Sequence, residues 1–252
     1  MITCKELAED VKASLAIKFE ESNASIAIIT NGTPEGERYT RNKMKVANEV
    51  GVFAIKYEFS KAFGLDEIKE QLKHIPDSGI MIQMPFFGDE RDKELIEAIP
   101  PEQDVDGLGE NTYVTPATAV GVFKYLEANN LIEGKNIVVI GRSNLVGKPL
   151  TKLLLNTNAT VTMCHSKTYN LADYTKKADV VVCAVGKRNF LSQKDLADHT
   201  HVVDVGINFD ENGKLCGDCC EDVISKTPVP NGVGLLTTAF LYYNLHELWW
   251  DS

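Results

Sequence analysis

Two side chains four residues apart, Tyr39 and Lys43, set a phenol and an amine on one face of a helix. An amine that loses its proton near neutrality can move protons or activate water, and burial or a nearby cation lowers its pKa. Read alone, the pair is weak, since Tyr and Lys at this spacing usually mark just a helix surface. Gln83 stands near the end of the apolar run GIMIQMP, where an amide can project from a strand end and orient a neighbouring ammonium; a satisfied buried amide is the plainer reading. Asp104-Val105-Asp106-Gly107 offers two carboxylates in a turn after Pro100 and Pro101, and one of them could receive N–H groups of a ligand. The segment from Thr227 to Gly234, TPVPNGVG, is stiff at its start and permissive at its end, which suits a shaped ligand loop as well as an ordinary one.

A second kind of chemistry lies in the middle of the chain. The apolar run NIVVI (136–140) feeds Gly141-Arg142-Ser143-Asn144-Leu145-Val146-Gly147-Lys148-Pro149, and a helical pattern follows. A strand, a glycine-bearing turn and a helix N-terminus make a site for an anion such as a dinucleotide phosphate. The spacing is not a phosphate-binding P-loop: one residue too many separates the glycines, and Pro149 stands where a hydroxyl would hold magnesium. It also lacks G-x-G-x-x-G. In NAD-selective sites an acid closes the next strand and takes the ribose hydroxyls. Here that strand ends Cys164-His165-Ser166-Lys167, with no acid. Arg142 and Ser166, with Lys167 beside them, suit a 2′-phosphate instead, and the charge argument favours NADP. A Tyr-x-x-x-Lys pair also occurs in short-chain dehydrogenases, but there it follows the nucleotide-binding strands. Here it precedes them, which rejects that family.

Alternating elements must position these groups. A capping box at Thr3 and Glu6 starts a helix carrying Leu7, Val11, Leu15 and Phe19. Strands are expected over 25–30, 52–59 and 79–84, with helices over 35–50, 65–74 and 89–99. After a loop the pattern resumes: helix 116–129, strand 136–140, helix 148–156, strand 159–164, helix 171–177, strand 180–184 and strand 202–205. Strands alternating with helices predict largely parallel sheets covered by helices, an α/β fold. A domain boundary falls near 115, and the apolar helical stretch 236–250 is expected to return to the first domain.

Composition narrows the classes. A net charge of -10 repels nucleic acid and anionic membranes, so neither is an expected partner. No apolar run is long enough to span a bilayer, and the first 20 residues do not read as a signal peptide. Cys216 and Cys219 form a C-x-x-C without a second ligand pair, so no metal is expected and the cysteines read as reduced thiols in a cytoplasmic protein.

Taken in order, the Tyr39/Lys43 helix, GIMIQMP, QDVDG, VVIGRSNLVGKP, NATVTMCHSKT, ADVVVCAVGK, VVDVGIN, GKLCGD and TPVPNGVG resemble the bifunctional methylenetetrahydrofolate dehydrogenase/cyclohydrolase family. The resemblance implies a homodimer. It implies an N-terminal three-layer αβα domain (1–115 with 236–252) and a Rossmann-like NADP-binding domain (116–235), with the folate in the cleft between them. The implied reactions are oxidation of 5,10-methylenetetrahydrofolate by NADP⁺, then hydration of the methenyl product to 10-formyltetrahydrofolate. By the family pattern Lys43 is the catalytic lysine, Gln83 holds it, Tyr39 positions the folate and Asp106 anchors the pterin. Pro230, Gly232 and Gly234 join the substrate site. Gly141, Arg142, Ser143, Val146, Ser166, Gly186 and Ile207 form the cofactor site, with Arg142 and Ser166 on the 2′-phosphate.

Three places depart from the family. The loop after Asp106-Gly107 is short, the family's P-C-T-P-x-G reads Pro116-Ala117-Thr118-Ala119-Val120-Gly121, and a glycine pair and Pro-Met become Asn231-Gly232 and Leu235-Leu236. They leave open a monofunctional dehydrogenase, NAD-linked forms included, and a folate or dinucleotide binding protein without turnover. Retention of Lys43 and Gln83 speaks against the first, and retention of all four polar residues of the catalytic set speaks against the second.

Overall fold

The run SIAIIT forms β1 (Ser25–Thr30), and its side chains are buried on both faces: Ile26, Ala27, Ile28 and Ile29 are all at 0% exposure. A strand buried on both sides is the centre of a covered parallel sheet. The computed structural model, which describes residues 1–60, 62–76 and 78–250, places β1 between β2 (Phe53–Glu58) and β3 (Gly79–Ile82), all parallel. The crossover after β1 is α2 (Pro34–Glu49) and that after β2 is α3 (Leu65–Leu72); α4 (Arg91–Ile96) follows β3. Ala27, Ile29, Ile80 and Ile82 on one sheet face pack with Ile68 and Leu72 of α3 and Leu95 of α4. Each such aliphatic side chain contributes about 1.5–3 kcal/mol on burial.

The second sheet has the order β5-β4-β6-β7 and is also all parallel: β5 is Thr160–Cys164, β4 Asn136–Ile140, β6 Val180–Cys183 and β7 His201–Asp204. The helix before it is α5 (Ala117–Ala128); α6 (Gly147–Leu155) joins β4 to β5, and α7 (Ala172–Thr175) joins β5 to β6. Strand β4 has its successor β5 on one side and β6 on the other, so the strand order reverses there. In open α/β sheets ligands bind at the carboxyl ends of the strands at such a switch point. A small antiparallel hairpin, β8 (Asn208–Phe209) with β9 (Leu215–Cys216), was not expected. Strands of two residues are too short to show a period in sequence.

The chain folds into two compact units, one of Met1–Ala8 with Thr118–Thr237 and one of Glu9–Ala117 with the chain from Thr238 onward. The division thus differs from 1–115 plus 236–252 mainly at the N-terminus. The capping box of Thr3 and Glu6 forms, with Glu6 N donating to Thr3 Oγ1 at 3.1 Å, and it opens α1 (Cys4–Lys18). The segment ahead of that helix is tied to α5 by Asn129 Nδ2, which donates to Ile2 O at 3.2 Å. Nothing in the helical spacing of α1 discloses which unit takes its first turn. The last helix, α8 (Val233–Trp250), supplies the second unit with Tyr242, Asn244 and His246, the last in an edge contact with Phe19. Asp251 and Ser252, assigned to the first domain by sequence, lie outside the described residues. No helix among the described residues is long and apolar enough to cross a membrane.

Candidate active site

In the unit of β1–β3, the N-terminus of α2 is fixed by its own sequence. Thr33 caps it, accepting from Gly36 N at 3.3 Å, and Pro34 opens the first turn. Asn31 joins this start to the chain beyond β3: its Oδ1 accepts from Thr33 Oγ1 at 2.9 Å, and its Nδ2 donates to Phe86 O at 2.6 Å. The helix is thereby held against the strand end that carries Gln83. Two turns on, Lys43 Nζ donates to Gln83 Oε1 at 2.6 Å. Gln83 in turn donates from Nε2 to Met84 O at 3.1 Å, which fixes which way its amide faces. Both Tyr39 and Lys43 are half-buried.

Asp106 completes the cluster. Burial pushes the Lys43 ammonium below the usual lysine range, and the Asp106 charge opposes that shift. Burial lifts Asp106 to about 6; Lys43 holds it back, and Asp104 adds to the rise. The two acids of Asp104-Val105-Asp106-Gly107 have separate tasks. Asp104 is buried and folds the turn, accepting from Gly107 N at 3.0 Å and Gly109 N at 2.8 Å. Two residues of α8, unmarked by sequence, brace the set. Tyr242 OH donates to Lys43 O at 2.6 Å, and Asn244 Nδ2 donates to Val105 O at 3.0 Å and Thr115 O at 2.9 Å.

In the other unit, the β4–α6 turn is drawn very tight. A methyl group on Gly147 would lie 2.0 Å from Gly141 O, and one on Gly141 would lie 2.2 Å from Ala184 O. The turn therefore has no spare room beneath it, while Arg142, Ser143, Asn144 and Leu145 are exposed above it. Ser143 Oγ accepts from Val146 N at 3.2 Å, and the Val146 side chain is buried, so Val146 shapes the turn from below. Ile140 is in register with Cys164, and Gly141 N donates to Cys164 O at 2.9 Å. That register brings Arg142 and Ser166 out of adjacent strand ends, both exposed. Arg142 makes no ion pair among the described residues. Gly186 and Ile207 follow the ends of β6 and β7, and both are exposed. A close glycine approach, a helix N-terminus and an uncommitted arginine beside a hydroxyl fit a 2′-phosphorylated dinucleotide.

Comparison with known proteins decides the lineage. The chain matches the family model for the tetrahydrofolate dehydrogenase/cyclohydrolase catalytic domain over residues 2–106. It matches the NAD(P)-binding domain of the same family over residues 116–251. The chain belongs to the tetrahydrofolate dehydrogenase/cyclohydrolase family. Among its relatives, the bifunctional protein FolD of Bacillus subtilis is 40% identical, the match covering 97% of this chain and 95% of that protein. The bifunctional protein FolD of Burkholderia lata is 39% identical over 97% of this chain and 92% of that protein. The crystal structure of the bifunctional FolD enzyme of Campylobacter jejuni superposes with a TM-score of 0.88 at 33% identity, covering 98% of this chain and 97% of that one.

The remaining residues singled out in the sequence lie near the start of α8. Pro230, Gly232 and Gly234 lie on the approach to and first turn of α8; Pro230 and Gly234 are exposed, whereas Gly232 is buried against Pro228 O. Asn231, where the family has glycine, takes φ +71°. Asparagine is among the few side chains that tolerate this left-handed region, so the departure keeps the turn. Of the C-x-x-C pair, Cys219 is buried, with the Cys183 thiol of β6 beside it. Among the described residues no group of three or more His, Cys, Asp or Glu is placed to hold a metal.

Proposed function

We propose that Lys43, held by Gln83, serves the hydrolytic half of a two-step reaction on tetrahydrofolate, and that the exposed turn at Arg142 selects the cofactor. The reactions are those of the family: 5,10-methylenetetrahydrofolate and NADP⁺ give 5,10-methenyltetrahydrofolate and NADPH, then the methenyl cation and water give 10-formyltetrahydrofolate and a proton. The 2.6 Å bond from Lys43 Nζ to Gln83 Oε1 beside Asp106 carries the reading of the catalytic residues.

NADP⁺, when bound, would supply the acceptor for a hydride from the substrate's methylene carbon. That step needs no acid or base from the chain, only two rings held in register. Gly141, Ser143, Val146, Gly186 and Ile207 would shape the cofactor's seat, and Arg142 with Ser166 would take its 2′-phosphate. A related solved structure, the Trypanosoma brucei enzyme, was crystallised with NADP and an inhibitor, at 26% identity and a TM-score of 0.89, with 100% of this chain and 97% of that one covered.

Hydrolysis places a different demand on the chain. A neutral amine can take a proton from water as it attacks the methenyl carbon. Burial already favours the neutral amine at Lys43. Gln83 occupies one N–H direction of that amine, leaving its other positions for water and substrate. The cationic methenyl carbon would lower the pKa of Lys43 further. Tyr39 would flank the pterin, Asp106 would receive its N–H groups, and Pro230, Gly232 and Gly234 would border the substrate. We also infer a homodimer working in the cytoplasm, on the family pattern and on the unbridged thiols.

Substitution of Lys43→Ala tests the assignment. Hydrolysis of methenyl substrate should fall about 10²- to 10⁴-fold, the range for loss of a positioned proton-transfer group. The dehydrogenase step should be partly retained. Hydrolysis at the wild-type rate would overturn the role of Lys43.

A further inference from the structure

Three consecutive backbone N–H groups at the end of β6 converge on one buried carboxylate. Val185 N donates to Asp218 Oδ2 at 2.7 Å, Gly186 N to the same oxygen at 3.0 Å, and Lys187 N to Oδ1 at 2.8 Å. Asn208 Nδ2 adds a bond to Oδ1 at 2.9 Å, and Asp218 is at 0% exposure. A second buried acid holds the backbone that carries the first: Asp204 Oδ1 accepts from Asp218 N at 2.9 Å, and its Oδ2 accepts from Cys219 N at 3.0 Å. The packing admits nothing larger than glycine around the pair. A methyl group on Gly206 would lie 2.2 Å from Asp218 Oδ1, and one on Gly217 would lie 2.0 Å from Asp204 Oδ2.

The loop held in this way borders the cofactor turn. Ile140 is in register with Cys183, and Ala184 N donates to Ile140 O at 2.9 Å. Residues 185–187 therefore leave the sheet beside Gly141, at the point where the strand order reverses. Successive N–H groups turned to one side form a nest, a concavity that elsewhere binds phosphate. Here the protein fills that nest with its own carboxylate.

The geometry points to Asp218 as a positioning residue for the dinucleotide: it sets the shape of the 185–187 loop, and it commits those three N–H groups so that they do not receive the cofactor's phosphates. The cofactor meets this loop through the open face at Gly186, where a built methyl group meets nothing within 4 Å. The inference rests on the placement of the dinucleotide at the β4–α6 turn, and the effect of Arg142→Ala on KM for NADP⁺ checks that placement separately. Asparagine at 218 would keep one acceptor oxygen and turn an NH₂ group toward at least one of the three donors.

Two measurements test it. In Asp218→Asn, KM for NADP⁺ should rise about tenfold or more while kcat at saturating NADP⁺ stays within about twofold. Hydrolysis of added methenyl substrate, which uses no dinucleotide, should be unchanged. An unchanged KM, or a fall in kcat that saturation does not restore, would overturn the proposal. The wild-type amides give a check that needs no variant. Val185, Gly186 and Lys187 N–H should exchange slowly without cofactor and change little when NADP⁺ binds. Free exchange that becomes protected only on adding NADP⁺ would show that the nest serves the phosphates, and would overturn it.

Discussion

At Lys43 two influences of opposite sign meet. Burial lowers its pKa and the Asp106 charge raises it, so the amine's proton is set by a balance that substitution can tip. Asp106→Asn removes the opposing charge, and reading kcat at saturating substrate separates that effect from any loss of pterin binding. The rising limb of kcat for hydrolysis, which follows deprotonation of Lys43, should then move to lower pH than in the wild type. A limb that stays in place or moves to higher pH in pH–rate profiles would contradict the balance. Arg142 is tested by the difference between two cofactors. Charge-assisted hydrogen bonds contribute about 1.5–3 kcal/mol, which is roughly 10- to 100-fold in binding. Arg142→Ala should raise KM for NADP⁺ by that factor and leave KM for NAD⁺ nearly unchanged; equal changes with both cofactors would argue for a purely local structural role. Residue types and spacing singled out Lys43, Gln83 and Asp106 as candidates, and the family resemblance gave them their roles. Neither disclosed Tyr242 or Asn244. Both sit in an apolar helix more than a hundred positions after the groups they brace, and no local spacing encodes such a contact.

Among the elements, the β4–α6 turn shows how sequence becomes geometry. Glycine at 141 and 147 lets the strand exit, the turn and the helix start lie in backbone contact, so the helix N-terminus opens directly above the sheet. Gly147→Ala forces a methyl group toward a carbonyl oxygen with no flexible side chain to yield. Overpacking of this kind costs about 1–3 kcal/mol. The expected result is a lower thermal midpoint together with weaker NADP⁺ binding, and an unshifted midpoint with unchanged binding would contradict the contact. The long elements were legible because burial on both sheet faces leaves unbroken apolar runs such as SIAIIT and VVVC. The ends were less so. The β3 ladder stops at Ile82 although the apolar pattern continues to Met84, because the chain turns away there with Gln83 N still bonded to Ile29 O. The 208–216 hairpin had no period to read, and nothing in the sequence marked Asp204, inside the expected strand 202–205, or Asp218 as acids the fold would enclose together.

On the scale of the whole molecule, each unit carries one kind of chemistry. The β1–β3 unit holds the polar cluster of Lys43, Gln83 and Asp106, and the β4–β7 unit holds the glycine turn and Arg142. The chain passes between them three times, after Ala8, Ala117 and Thr237. Sequence showed this two-part plan through the restart of strand–helix alternation after residue 115; it grouped 1–115 together, whereas residues 1–8 cluster with the β4–β7 unit, since a helix's periodicity does not name its neighbours. The substitutions near the expected substrate, at 117, 119, 231, 235 and 236, lie on the α5 and α8 approaches and leave the Lys43–Gln83 pair in place. Both halves of the reaction should therefore run in one enzyme. The direct measurement is turnover of 5,10-methylenetetrahydrofolate with NADP⁺, following reduced nicotinamide and methenyl product separately. The account predicts steady formation of NADPH without build-up of methenyl product. Methenyl product accumulating in step with NADPH would contradict it, since the lysine cluster would then not be hydrolysing what the dehydrogenase step makes.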